Sequence, residues 1–225
     1  MRVLSTHKPS AHTSPTTSAA PASGTINRQD QRRDAILAVA QEVFNADGFA
    51  AASMSAIAAR LGGSKGTLYN YFASKEALFE ACIRAQCARF ADGLFDMPDD
   101  RPVAEVLTGF GRRFLDHLFS DWAVRLFQIL VAEAPRAPEL TRIFYDAGPA
   151  VGLGRLQAYL ERARTAGRIR APDCTVAAAQ FMSLCRGHSH LVMVLNLADR
   201  PSEAAIADDV AGAVAMFMAR YGTDG

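Results

Sequence analysis

At 225 residues, half of them apolar, the chain has the material for one sizeable core or two smaller ones. A formal net charge of +1 excludes a generally basic protein that coats nucleic acid, so any contact with DNA must come from a local patch. Four cysteines, Cys82, Cys87, Cys174 and Cys185, form no C-x-x-C pair and lie in apolar helical contexts, the pattern of reduced, buried thiols and not of a disulfide framework or a zinc site.

Residues 1–30 are rich in Ser, Thr, Pro and Ala with few bulky apolar side chains. They cannot bury enough surface to offset the entropy of ordering and are read as a disordered arm. Arg2, Lys8, Arg28, Arg32 and Arg33 outweigh Asp30 there and at the start of the first helix, which suits either a solvated tail or an arm touching DNA phosphates. The arm contains no apolar stretch able to serve as a signal-peptide core, so a cytoplasmic location is expected.

From Arg33 onward the pattern is helical. Ile36, Leu37, Ala40, Val43 and Phe44 share one face, and Asp47-Gly48 supplies a left-handed stop. Ser53 is an N-cap for a short helix with Met54, Ile57, Ala58 and Leu61 inward, ended by Gly62-Gly63; a second short helix runs from Ser64 to about Tyr71. Ser74 caps a fourth helix that buries Leu78, Phe79, Cys82, Ile83 and Phe90, with Glu76 in its first turn. After Met97-Pro98-Asp99-Asp100 comes a helix with Val103, Val106, Leu107, Phe110, Phe114 and Leu118 inward. Asp121 is expected to cap the next, which carries Trp122, Leu126, Ile129 and Leu130. Pro135 to Pro138 interrupt it, and helices over Glu139 to about Tyr145 and Val151 to about Ala166 follow, hinged at Gly148-Pro149. The last two, Cys174 to Leu197 and Ser202 to Tyr221, are apolar on more than one face, as expected of helices that pack on their own domain and on a second subunit. Arg186, His188 and His190 interrupt the apolar run from Val176 to Ala198, so it reads as a buried helix and no membrane partner is expected. Strand-like alternation is absent, and the fold class is all-α.

Two short helices joined by a tight glycine turn form a helix-turn-helix, whose second helix enters the major groove while the first lies across the backbone. Ser64, Lys65 and Thr67 put donors at the start of that second helix, where free backbone N–H groups already favour phosphate. Gly66 costs about 0.5–1 kcal/mol relative to Ala within a helix, and close approach to a base edge is a candidate reason for keeping it. Tyr69 can offer its ring to a thymine methyl or its hydroxyl to a phosphate. A nucleotide-binding loop fails on order: it needs Gly-Lys-Ser/Thr in succession after a strand, whereas Lys65 precedes Gly66 and a helix comes before.

These residues resemble the TetR family of transcriptional regulators. The likeness rests on Gly48-Phe49, Ser53-Met54 with Ile57-Ala58, the run from Gly63 to Phe72, and Ser74-Lys75-Glu76-Ala77-Leu78-Phe79. Gly63 stands where Val is common in that family. The resemblance implies a three-helix DNA-binding domain over 31–83 and a ligand-binding, dimerising bundle over 84–225. It further implies a homodimer on double-stranded operator DNA, with Ser53, Ser64, Lys65, Gly66, Thr67, Tyr69, Asn70, Tyr71 and Lys75 facing the DNA. The stretch Leu130 to Leu140, with Phe144 to Pro149, looks like the C-terminal domain of the AefR-like subgroup, whose members are implicated in repressing efflux or signalling genes. The expected function is a repressor on an inverted repeat, released by a small hydrophobic effector; an activator or a ligand-independent DNA binder is the alternative.

Within the bundle, Phe110, Phe114, His117, Trp122, Phe127, Phe144, Phe181, Met182, Cys185 and His188 are the candidate lining of a mostly apolar ligand cavity, although each taken singly suits a plain core. His188 and His190 point about 200° apart on a regular helix and cannot chelate one ion from it, so no metal is expected. Nothing places a base or cationic cluster beside Cys82 or Cys87, so inert thiols are expected. No Ser/His/Asp set, paired carboxylates or cofactor loop stands out; neither an enzyme nor a cofactor is expected.

Overall fold

A computed structural model describes residues 28–223; the expected arm lies almost wholly outside them. The described residues form eleven helices: α1 (Arg28–Ala51), α2 (Met54–Arg60), α3 (Lys65–Tyr69), α4 (Lys75–Leu94), α5 (Val103–Leu118), α6 (Asp121–Glu133), α7 (Pro138–Ala147), α8 (Pro149–Thr165), α9 (Cys174–Arg186), α10 (Ser189–Val194) and α11 (Glu203–Tyr221). No strand occurs among them beyond an isolated bridge between Ile169 and Gly222.

Serine caps set much of this segmentation. The hydroxyls of Ser53, Ser64, Ser74 and Ser202 each accept a hydrogen bond from the backbone N–H three residues on, a contact that stabilises a helix start by about 0.5–2 kcal/mol. Ser120, not Asp121, caps α6: its Oγ accepts from the Ala123 N–H at 3.2 Å, and Asp121 is instead the first helical residue, beside the positive end of the dipole. Asp173 caps α9 by accepting from both Thr175 and Val176. Two further boundaries differ from the sequence reading. α1 already begins at Arg28, ahead of the expected start; at Gly48, with φ 75° and ψ 168°, the backbone leaves the helical region where the sequence reading places a stop, and one more helical turn beyond the kink reaches Ala51. The single helix expected from Cys174 to Leu197 is two, because Gly187 at φ 52° and ψ −154° leaves the helical region and α10 restarts beyond it.

Two cores result. The first gathers α1 to α4 around Ile36, Phe44, Ile57, Leu68, Leu78 and Phe79, and extends through Leu126, Leu130 and Leu140 into α6 and α7. At its centre the Phe79 ring lies 4.9 Å from both Phe44 and Phe49. The second core joins α5, α8, α9 and α11 around Phe110, Tyr159, Phe181 and Phe217. Gly111 allows α5 and α11 to approach closely, since a Cβ there would sit 2.9 Å from Val210 Cγ1. α4 belongs to both halves: it packs on α1, α7 and α5, and Leu94 at its end enters the second core.

Candidate nucleic-acid interface and interior cavity

The helix-turn-helix is α2, the turn at Leu61-Gly62-Gly63, and α3. α2 ends because Gly62 adopts φ 70° and the Gly62 and Gly63 N–H groups fold back onto the Ala59 and Ala58 carbonyls, both at 3.1 Å. α3 is anchored by Leu68, fully buried, with Phe72 buried just beyond. Its other side carries Lys65, Gly66, Tyr69 and Asn70, all exposed, with Ser53 exposed at the start of α2. The Lys65 ammonium lies 5.8 Å from the centre of the Tyr69 ring. Ser64 Oγ accepts from the Thr67 N–H at 3.1 Å and shares a 2.9 Å hydrogen bond with the Thr67 hydroxyl, so Ser64 and half-buried Thr67 are partly spent on shaping the helix start. A Cβ on Gly66 would meet nothing nearer than Ser64 Oγ at 3.8 Å; nothing within the fold requires glycine there.

Two residues expected at the DNA are tied inward. Tyr71 is half-buried and packs on the first core. Lys75 donates from Nζ to the Phe49 carbonyl at 2.8 Å and to the Ala50 carbonyl at 3.4 Å, and sits 4.4 Å above the Phe49 ring. It therefore ties the start of α4 to the last turn of α1, an α-helix end that otherwise lacks a basic residue. Arg32, which the sequence reading counted only in the positive excess before and at the start of the first helix, is exposed on α1 and reaches the helix-turn-helix turn: its Nη2 would lie 3.3 Å from a Cβ on Gly63.

Beneath this unit lies a cavity of about 120 Å³. α4 contributes Cys87, Phe90, Ala91 and Leu94; α5 contributes Phe114, His117 and Leu118; α6 contributes Trp122, Ala123 and Phe127; Phe144, Gly148, Met182, Arg186 and His190 are among the other residues of the wall. The His117 ring stacks on Phe90 at 3.4 Å between centres, and Phe127 meets His190 edge-on at 5.2 Å. Burial pushes the His117 imidazole down to about 4, and burial, helped by the Arg186 charge, lowers His190 as well, so both rings are neutral at physiological pH. Of the sequence candidates, Phe114, His117, Trp122, Phe127, Phe144 and Met182 border this space. Phe110, Phe181 and Cys185 do not: they are fully buried in the second core, on the side of their helices that meets α11 and α5. His188 is exposed at the break before α10, and the histidine that enters the wall is His190, which the expected unbroken helix hid.

The described residues contain no group of three or more potential metal ligands and no helix long and apolar enough to cross a membrane. Burial pushes the Cys82 thiol up to about 12 and Cys87 to about 11, which keeps both protonated.

A family model described as "AefR-like transcriptional repressor, C-terminal domain" matches residues 105–223, more than half of the chain. A second, "Bacterial regulatory proteins, tetR family", matches residues 36–82. The chain belongs to the TetR family. It is therefore a DNA-binding transcriptional regulator and not an enzyme. The HTH-type transcriptional regulator UidR of Escherichia coli strain K12 is 51% identical over 51 residues, 23% of this chain and 26% of UidR; the chain thus spans about a quarter of the length of that curated relative. Along nearly the whole length, the solved structure of the Flavonoid-responsive Regulator FrrA is 36% identical with a TM-score of 0.73, covering 87% of this chain and 99% of FrrA. A TetR-family regulator from Mesorhizobium loti reaches a TM-score of 0.82 at 23% identity, covering 88% of this chain and 100% of its own, a likeness of fold alone. In this TetR-family chain α4 is the element common to both candidate sites: Lys75 holds α1 at one end, while Phe90 and Leu94 line the cavity at the other.

Proposed function

We propose that the protein is a cytoplasmic repressor that binds an inverted-repeat operator as a homodimer and leaves it when a small hydrophobic effector enters the interior cavity. Residues 31–83 act as the DNA-binding domain and residues 84–225 as the sensing and dimerising bundle. The observation that carries the reading is the course of α4, which fastens the helix-turn-helix unit to the cavity wall. An effector that needs more room than about 120 Å³ moves Phe90 and Leu94, and with them the helix on which α1 to α3 are packed. The separation of two reading heads then no longer suits successive major grooves.

The DNA face comprises Ser53, Ser64, Lys65, Gly66, Thr67, Tyr69 and Asn70, with Lys65 on a phosphate and Tyr69 toward base edges. The dimer face is formed by the last long helices: Val176 and Leu184 on α9 and Met216 on α11 are exposed, and a second copy of the same surface would cover them with a four-helix packing across a two-fold axis. The likeness to FrrA, a flavonoid-responsive regulator, supports response to a small molecule.

Footprinting of the DNA upstream of the protein's own gene, with and without hydrophobic compounds, tests this reading. A protected inverted repeat that a cavity-binding compound clears is the expected result. Protection that no compound alters would favour a ligand-independent binder, and occupancy that raises transcription would favour an activator.

A further inference from the structure

The cavity is walled largely by rings and carries charge at one point. Phe90, Phe114, Trp122, Phe127 and Phe144 border it, and their faces and edges suit another ring. Its volume of about 120 Å³ is close to the roughly 150 Å³ at which an apolar cavity takes up benzene. Three side chains of the wall are basic: His117, Arg186 and His190. Burial keeps both imidazoles neutral, and His190 is 6% exposed with its Nε2 closed off from any ligand. Arg186 alone is charged, and no aspartate or glutamate belongs to the described wall. Whereas Arg162 and Arg164 on α8 pair with Asp99 and Glu161, Arg186 pairs with no carboxylate among the described residues. It is solvent-exposed and yet borders the cavity, which places it where the cavity meets water.

We propose that the cavity takes an amphipathic compound, an apolar ring carrying one carboxylate, with the ring among the aromatic side chains and the carboxylate at the mouth on the Arg186 guanidinium; this rests on the cavity being the effector site. A guanidinium offers a carboxylate two parallel N–H donors. At the mouth the carboxylate keeps part of its hydration while the ring leaves water, so the cost of burying a charge is largely avoided. One cation matches one negative charge. A cationic ring would face Arg186 with no acid of the described wall to offset the repulsion, and a neutral ring gains nothing from the guanidinium charge. His117, half-buried and stacked on Phe90, can donate a ring N–H to a carboxylate or an amide oxygen alike, so it does not discriminate by charge. A basic residue in the last turn of α9 also complements the helix dipole, a role that needs no ligand and that the experiment separates from the proposed one.

Trp122 is the only tryptophan of the chain and borders the cavity, so its fluorescence reports occupancy in the full-length protein. Benzoate, benzamide and benzamidine present nearly the same planar shape with negative, zero and positive charge. The wild-type protein is expected to bind benzoate about tenfold more tightly than benzamide, with benzamidine weakest, and added salt should weaken benzoate while leaving benzamide unchanged. Arg186→Gln is expected to lower benzoate affinity about tenfold and to leave that of benzamide as it was. Tightest binding of benzamide or benzamidine by wild type, or a benzoate preference that survives Arg186→Gln, would overturn the assignment while leaving the cavity a ligand site; in the latter case Arg186 serves the end of α9 alone. If none of the three alters Trp122 emission, the assignment fails and the effector reading of the cavity fails with it. The ligand and salt comparisons on the wild type stand even if the variant does not fold.

Discussion

Gly62 and Gly63 are adjacent in the turn and opposite in conformational demand. Gly62 sits at φ 70° with open space where a Cβ would go, so the cost of a side chain there is backbone strain alone. Gly63 is not left-handed, and a Cβ would meet only the end of the flexible Arg32 side chain. Gly62→Ala should therefore destabilise the protein by about 1–2 kcal/mol, whereas Gly63→Ala should stabilise it by about 0.4–1 kcal/mol by restricting the unfolded chain; urea denaturation of both variants checks the opposite signs. His117 makes a second prediction at this scale. Burial against Phe90 lowers its pKa from the ordinary 6.5 to about 4. Between those values the unfolded chain binds a proton that the folded chain does not, so stability should fall as pH drops from 6.5 and level off below about 4. His117→Phe should flatten part of that slope, leaving the share of His190, whose pKa is lowered in the same direction. An unchanged slope in the variant would show that His117 is as readily protonated folded as unfolded.

At the scale of helices, Lys65 and Lys75 separate the proposed DNA contact from architecture. Lys65 is exposed on α3, so Lys65→Ala should weaken operator binding and reduce the salt slope by about 1 with little change in stability. Lys75 is bonded to two carbonyls at the end of α1, so Lys75→Met should cost about 1.5–3 kcal/mol of stability, visible in thermal melts without DNA. The contrast also marks what the sequence made legible. Both lysines occupy family positions associated with DNA; that one of them spans from α4 to α1 depends on tertiary proximity, which the local pattern does not encode. Serine caps were readable because their bonds are local, as at Ser53, Ser64 and Ser74. Ser120 and Asp121 are both capping residue types, and only geometry chose between them. The break at Gly187 escaped notice because apolar residues continue on both sides of it, and this misplaced the histidine: the continuous helix drew attention to His188, while the restart at α10 turns His190 into the cavity. Periodicity likewise separates inward from outward residues but does not say which inward ones meet a gap. Phe114 borders the cavity, while Phe110, one turn earlier on α5, packs wholly on the second core.

For the molecule as a whole, the two cores meet along α4, and the first core runs on into α6 and α7, which also wall the cavity. The helix-turn-helix unit is therefore not an independent bead on a linker. It shares a buried core with helices of the cavity wall, which is the physical basis of the proposed coupling of cavity to DNA. Such coupling is reciprocal: if an occupant weakens operator binding by some factor, operator DNA must weaken binding of that occupant by the same factor. The most direct test is to titrate a compound that clears the footprint into the protein alone and into the protein saturated with its footprinted operator, reading Trp122 fluorescence in both. The account predicts weaker binding of that compound in the DNA complex, by the same factor by which it weakens operator binding. Equal affinity for the compound with and without DNA would contradict it.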